Sequence, residues 1–237
     1  MTANVRHHGA GARVILIRHG QASLGSTDYD RLSPVGQMQA VRLRRRLAAV
    51  FAGEHSLWSG THHRHRQTSE ALCPEAAVGR SDALDEFPTF ALIRAALDQA
   101  GRLGIERPRE QELAEPARYL ESLLQWFPAV LEAWQADRLS TPETGSWPSF
   151  RDRVLAPVDR WRAQAEAGRN VVVISSAGVI STLVAELTGS GLGRQRRLAV
   201  TMYNASVTEL WPVATGWETG PVNCIEHLDE AGLRTLA

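Results

Sequence analysis

The chain has little cysteine, no net charge and no long apolar run, and each shortage removes a class of protein. Only Cys73 and Cys224 occur among 237 residues. Two are too few for a disulfide framework and lack the paired spacing of a zinc site, which suits a reducing compartment. The 26 lysines and arginines balance 26 aspartates and glutamates, so no global field draws the chain to nucleic acid or to an anionic membrane. An anionic ligand must be caught locally. No stretch approaches the roughly 20 apolar residues of a membrane span. Residues 1–12 are charged and glycine-rich without the apolar core and cleavage pattern of a secretory signal, and they read as a loose tail. A cytoplasmic protein with no nucleic-acid or membrane partner is expected.

What is present is an ordinary apolar fraction, 43%, enough for one sizeable core. Residues 13–237 are therefore expected to form a single α/β domain. Val14-Ile15-Leu16-Ile17 is a short apolar run rich in β-branched residues, the pattern of a strand buried on both faces of a largely parallel sheet, and Val171-Val172-Val173-Ile174 repeats it. Each run ends in small and polar residues before a helical pattern resumes, and ligands of open α/β sheets gather at such carboxyl ends. Ser33-Pro34 opens a helix carrying Ala40, Leu43, Leu47 and Val50 on one face. Its arginines, Arg42, Arg44, Arg45 and Arg46, read as a solvated face rather than a docking patch. A strand around Leu57-Trp58 precedes a helix over residues 61–72. Ser149 with Asp152 makes a capping box for a helix toward Ala167, with Pro157 bending it or marking its true start. Ser206 to Trp211 reads as a strand. Between residues 88 and 148 the pattern is mixed helical and interrupts the strand-helix alternation, as an insertion or lid would.

Arg18-His19-Gly20 sits where the first buried strand ends, and charged residues there cost free energy unless they have a partner or a task. A neutral imidazole can attack phosphorus, the adjacent guanidinium can grip two phosphoryl oxygens, and glycine lets backbone and anion approach closely. The bland alternative is a strand-end pair satisfied by backbone and solvent.

Several segments, in order along the chain, resemble the histidine phosphatase superfamily, the group that includes cofactor-dependent phosphoglycerate mutases. They are Leu16-Ile17-Arg18-His19-Gly20-Gln21-Ala22, Leu32-Ser33-Pro34-Val35-Gly36-Gln37, the stretch from Trp58 to Thr68 with an arginine three residues before Gln67-Thr68, Leu84-Asp85-Glu86, and Asn204-Ala205-Ser206-Val207-Thr208. The resemblance implies a three-layer α/β/α sandwich with a mainly parallel sheet, phosphoglycerate mutase-like, carrying a helical insertion at about 88–148. It implies His19 as the group that accepts a phosphoryl group, Arg18 and Arg64 as its grip, and Glu86 as proton donor and later base. It also implies Gln21, Ser176 and Ala177 as substrate contacts. No metal or cofactor is called for, because arginines carry the charge. The partner implied is a small phosphorylated substrate, and a homodimer stays open.

Departures from the family pattern keep other readings in view. The family's second histidine would follow the late buried strand, where this chain has Ser176, and losing one preorganised donor costs on the order of 10²–10³ in rate. Phe87-Pro88-Thr89-Phe90 replaces a glycine- and tryptophan-containing run, and Gly25 stands where mutases tend to carry asparagine. Arg66 rivals Arg64, Glu86 could pair with an arginine, and Ser176 could be only a helix cap. His62, His63 and His65 have no Cys, Asp or Glu at ligand spacing nearby in sequence, so a surface cluster is expected. Hydrolysis of a monoester is the leading reading, with a mutase or a non-catalytic phospholigand-binding module as rivals. Unperturbed values of about 6.5 for His19 and about 4.3 for Glu86 conflict with a neutral base and a protonated acid, so the site must lower one or raise the other.

Overall fold

Strand β1 (Val14–Arg18) runs through the middle of a sheet, buried up to Ile17. The structure, a computed structural model, describes residues 11–23, 28–109 and 116–236, without the side chains of 116–120 and 123. Most of the expected tail and Gly25 lie outside the described residues. The other strands are β2 (His55–Ser59), β3 (Val78–Arg80), β4 (Asn170–Ser175), β5 (Val207–Val213) and β6 (Gly216–Thr219), in the order β3-β2-β4-β1-β5-β6. β3, β2, β4 and β1 are parallel, whereas β5 and β6 run antiparallel. The mainly parallel sheet expected from the two β-branched runs is therefore present, with an antiparallel edge.

Alternation along these strands sorts the helices into two layers. Ile15, Ile17, Val172 and Ile174 face a cluster with Leu43, Leu47, Val50 and Leu72. Those four come from α1 (Pro34–Arg46), α2 (Ala48–Ala52), the residue joining them, and α3 (His63–Leu72). Val14, Leu16, Val171 and Val173 face the opposite way into a larger cluster. That side is covered by α4 (Thr89–Asp98), α5 (Ala100–Leu103), α6 (Pro116–Gln135), α7 (Trp147–Leu155), α8 (Val158–Glu166), α9 (Ala177–Leu187) and α10 (Leu192–Thr201). Trp126, Val130, Leu131 and Trp134 of α6 pack into the same cluster as Ile180 and Leu183 of α9. Each fully buried aliphatic side chain contributes about 1.5–3 kcal/mol, so the two faces of β1 and β4 anchor both layers.

Local chemistry fixes the ends. Ser33 caps α1, its hydroxyl accepting from Gly36 N–H at 3.0 Å, with Pro34 in the first turn. The late helix departs from expectation. Its cap is Ser146, which accepts from Ser149 N–H at 3.4 Å, and not a Ser149–Asp152 box. Pro148 explains the shift, because it has no N–H to satisfy and its fixed φ suits a first turn. The helix breaks after Leu155 and a new one begins at Val158, beyond Pro157.

Two glycines let the loop after β1 close on α1. A β-carbon on Gly20 would lie 2.6 Å from the Gly36 carbonyl oxygen, and one on Gly36 would lie 2.2 Å from the Gln21 carbonyl oxygen. Both obstacles are backbone and cannot rotate away. Gly36→Ala is therefore expected to destabilise the fold by about 1–3 kcal/mol, the usual cost of overpacking, read as a lower urea midpoint. An unchanged midpoint would contradict the close approach.

Candidate active site

Register brings three loops together. Arg18 pairs with Ser175 across β1 and β4, and Ser59 pairs with Ile174 across β2 and β4. Because all three strands are parallel, the residues just past their carboxyl ends, His19, Gly60 and Ser176, converge on one edge. Backbone bonds lock the exit, with His19 N–H donating to Ser175 at 2.9 Å and Gly60 N–H to Ile174 at 3.1 Å.

His19 is buried, and its partners assign its tautomer. Nδ1 lies 2.7 Å from the Gly20 carbonyl oxygen, which can only accept, so Nδ1 carries the proton. Nε2 is then a lone pair, and it accepts from Arg64 Nε–H at 3.2 Å. Burial, followed by the positive field of Arg64, His65 and Arg18, pushes the imidazole well below its ordinary 6.5. Thr68 Oγ1 accepts from Gly20 N–H at 3.1 Å, and Asn204 donates to the His19 carbonyl at 3.4 Å.

The two arginines are held differently. Arg64, in the first turn of α3, gives Nη1 to Asp30 at 2.5 Å and lies 5.9 Å from the ring of Tyr29. Burial alone would raise Asp30, but the His63 N–H and Arg64 outweigh it and hold the carboxyl low. Arg18 donates to the carbonyls of Met202 and Leu236, the second at 2.6 Å, and burial lowers it to about 10. Between the rivals named from sequence, Arg64 lines the cleft and Arg66 is not among the described lining residues.

Glu86 enters from the segment between β3 and α4, and its Oε2 accepts from Gly178 N–H at 2.9 Å in the first turn of α9. Burial raises its carboxyl, opposed by the Gly178 N–H, Arg64, the Phe87 N–H and Arg18. Gly178 admits this contact, since a β-carbon there would lie 2.2 Å from Glu86 Oε1. Phe87 packs with its ring centre 4.9 Å from that of Trp134 and 5.3 Å from that of Phe150. That anchors the backbone that presents Glu86.

Ser176 occupies the cap position of α9 but makes no side-chain cap bond. Its Oγ lies 2.7 Å from His65 Nε2 instead, and His65 Nδ1 faces Asp85 Oδ1 at 3.5 Å. This corrects the expected surface cluster at His65, whereas His63 is exposed and His62 half-buried. His65 has 0% of its surface exposed, and folding brings Asp85 to it although 20 positions separate them in the chain. Atoms of His62, His65 and Asp85 all lie within 4.8 Å of one another. Asp85 is already engaged, accepting from Thr61 N–H at 2.6 Å and the Thr61 hydroxyl at 2.5 Å. Burial would raise Asp85, but the His65 and Thr61 donors hold it far below the ordinary carboxylate range, while burial lowers His65 to about 4.

These groups meet at a cleft of about 200 Å³ lined by Arg18, His19, Arg64, Glu86, Ser176 and Ala177 at its polar end. Tyr29, Phe87, Phe90, Ile93, Leu124 and Phe127 form much of the remaining wall, with Ala199 and Val200. Gln21 is not among the lining residues. Its Oε1 accepts from the Ser33 hydroxyl at 2.8 Å, which ties the loop after β1 to the start of α1. Sequence reasoning missed Asp30, Tyr29, Thr68, His65 and Asp85. His65 stands beside Arg64, and Thr68 and Asp85 lie in the segments that resemble the superfamily, but Tyr29 and Asp30 carried no signal.

The profile of the histidine phosphatase superfamily (branch 1) matches residues 14–92 and 106–224, and the chain belongs to that superfamily. Solved structures share its fold at low identity. A phosphoserine phosphatase variant from Entamoeba histolytica is 16% identical with a TM-score of 0.61, covering 92% of this chain and 99% of its own. A mycobacterial glucosyl-3-phosphoglycerate phosphatase with inorganic phosphate is 22% identical with a TM-score of 0.61, covering 91% and 99%. The alpha-ribazole phosphatase of Shigella flexneri is 17% identical with a TM-score of 0.60, covering 90% and 96%. No curated protein sequence matches the chain. Among the described residues no helix is long and apolar enough to cross a membrane.

The depressed histidines make the fold acid-sensitive. Below 6.5 an unfolded imidazole binds a proton that buried His19 and His65 refuse, so stability falls as pH falls, down to about 4 for His65. Each contributes at most about 1.4 kcal/mol per pH unit. The raised carboxyl of Glu86 acts with the opposite sign, losing stability as pH rises from 4.5 through its folded value. The histidines are expected to prevail, giving a lower urea midpoint at pH 5 than at pH 7. A flat or rising midpoint on acidification would contradict their burial as neutral groups.

Proposed function

We propose that the protein is a phosphate monoester hydrolase that acts through a phosphohistidine at His19. The observation that carries this reading is the neutral, Nδ1-protonated His19 with its Nε2 lone pair beside the guanidinium of Arg64 at the polar end of the cleft. An entering phosphoryl group competes for the Arg64 N–H. Moving that bond to a phosphoryl oxygen frees Nε2 to attack phosphorus in line, while Arg18 and Arg64 spread the developing charge. The P–O bond to the alcohol breaks as N–P forms, and Glu86 gives its proton to the departing oxygen. Water then attacks phosphohistidine, losing its proton to Glu86, and phosphate leaves. The raised Glu86 and lowered His19 suit these protonation states.

The cleft also bears on the alcohol. Beyond Arg18 and Arg64 the described lining has no further cation, and its outer wall is aromatic and aliphatic. Such a wall favours an apolar or aromatic leaving group over a phosphorylated sugar acid, whose carboxylate would need a partner. Helices α4 and α6, within the expected insertion, supply much of that wall and would set which alcohol fits. Related phosphatases whose names specify phosphoserine, glucosyl-3-phosphoglycerate or alpha-ribazole phosphate are in keeping with a small monoester. The same charge pattern weighs against a mutase.

Phosphate release from a panel of phosphorylated compounds tests this reading, with aryl phosphates expected to exceed phosphoglycerate in kcat/KM. His19→Ala should lower kcat by more than about 10³-fold. Glu86→Gln should cost about 10²–10⁴-fold with a poor leaving group and much less with a good one. In the wild type, activity should fall at low pH as His19 gains its proton and at higher pH as Glu86 loses its own, and Glu86→Gln should remove the second limb. Undiminished turnover by His19→Ala would overturn the reading, and phosphate binding without turnover of any monoester would favour a binding module.

A further inference from the structure

A hydroxyl, a buried imidazole and a half-buried carboxylate run in file behind the cleft wall. Ser176 lines the cleft, whereas His65 stands behind it, hydrogen-bonded to Ser176 Oγ and with its ring 5.4 Å from that of His19. Asp85 ends the file, held by Thr61 and by the His62 N–H at 3.4 Å. Gly60 makes the arrangement possible, because a β-carbon there would stand 2.1 Å from His65 Nδ1 and 2.6 Å from Asp85 Oδ1.

The carboxylate assigns the tautomer. Two acceptors facing each other would repel, so Nδ1 of His65 carries the proton and Nε2 accepts the Ser176 O–H. In that state the serine turns lone pairs to the cleft, and a phosphoryl oxygen would meet an acceptor. One proton reverses the file. With Nε2 protonated, His65 donates to Ser176 Oγ, and the serine hydroxyl is free to donate to the anion.

We propose that His65 is a positioning residue for Ser176, and that a tetrahedral dianion bound in the cleft draws one proton from solvent onto His65 Nε2, which commits the Ser176 hydroxyl to the anion. No covalent bond to Ser176 forms or breaks. The proposal rests on the phosphatase reading in taking the anion to be a phosphoryl group. Asp85 and the two charges of the anion favour the added proton. Arg64 opposes it, as do His62, stacked at 5.2 Å between ring centres, and His19, at 5.4 Å, whenever either is charged. Arg18 and Glu86 face the same cleft and act on the anion itself. With the cleft empty, burial keeps His65 neutral at pH 6. The anion supplies the charge that changes this.

Inorganic sulfate is the probe, since it stays a dianion over the working range. Calorimetry in two buffers of different ionisation enthalpy, from pH 5.5 to 8, should show wild-type binding with proton uptake and an affinity falling by up to about tenfold per pH unit for the one proton. His65→Gln presents an amide that can donate to Ser176 without titrating, so it should bind sulfate with a flatter pH dependence and lower uptake. Ser176→Ala, which leaves His65 and Asp85 in place, should also lower the uptake. Equal pH dependence in wild type and His65→Gln would overturn the proposal, because the proton would then belong to His19 or another group. Unchanged uptake in Ser176→Ala would overturn the route through the hydroxyl. Should either variant fail to fold, ¹⁵N spectra of the wild type decide. Sulfate should convert His65 from neutral imidazole to imidazolium at pH 6, and no change in a sulfate-bound protein would overturn it. Failure of these tests while His19 still becomes phosphorylated would leave the phosphatase reading standing. Sulfate-linked protonation of His65 without monoester turnover would support the relay and sink that reading.

Discussion

A neutral imidazole buried against a guanidinium is the contact on which the rest of the site depends. His19 can accept from Arg64 only while Nε2 is unprotonated: the Gly20 carbonyl keeps the neutral ring's one proton on Nδ1, and burial with the nearby cations resists a second. That carbonyl is aimed by a backbone fixed on both sides, with Gly20 N–H on Thr68 and the Gly20 α-carbon against Gly36. Thr68 and Arg64 stand four residues apart on α3, and the Thr68 hydroxyl also donates to the Arg64 carbonyl at 2.7 Å. One helix therefore sets both the guanidinium and the strand-end loop it addresses. The parallel register of β1, β2 and β4 sets where that helix begins.

The conflict between a base at about 6.5 and an acid at about 4.3 is resolved here by burial acting on opposite charge types. Desolvation penalises whichever form is charged, so it lowers His19 and raises Glu86. The nearby arginines do not act so evenly. They push the imidazole further down but also pull Glu86 down, so the acid depends on burial prevailing over Arg64, Arg18 and two N–H donors. Gly178 and the packing of Phe87 against Trp134 and Phe150 keep that carboxyl inside the wall.

Features written in short stretches were legible in the sequence. The β-branched runs became β1 and β4, Ser33-Pro34 opened α1, and the glycine after His19 sits where close approach demands it. The set His19, Arg18, Arg64, Glu86, Ser176 and Ala177 converges on one cleft: all but Glu86 stand at a strand end or a helix start, and Glu86 comes in from the segment between β3 and α4. Gln21 does not share it, since its side chain joins Ser33. Contacts between distant positions could not be read. Ser176 meets His65 across 111 residues, and a triplet of histidines carries no mark to say that one faces inward. A similar limit applied at Ser146, where Pro148 decided between two serines for the cap.

The account's central claim is that His19 receives the phosphoryl group on the nitrogen that faces Arg64. Rapid quenching in alkali during turnover of an aryl phosphate, followed by ³¹P and ¹⁵N spectroscopy of the digested peptide, identifies the phosphorylated atom. The account predicts phosphorus on Nε2 of His19, because Nδ1 is held by the Gly20 carbonyl. Phosphorus on Nδ1, or on Ser176 instead of His19, would contradict it.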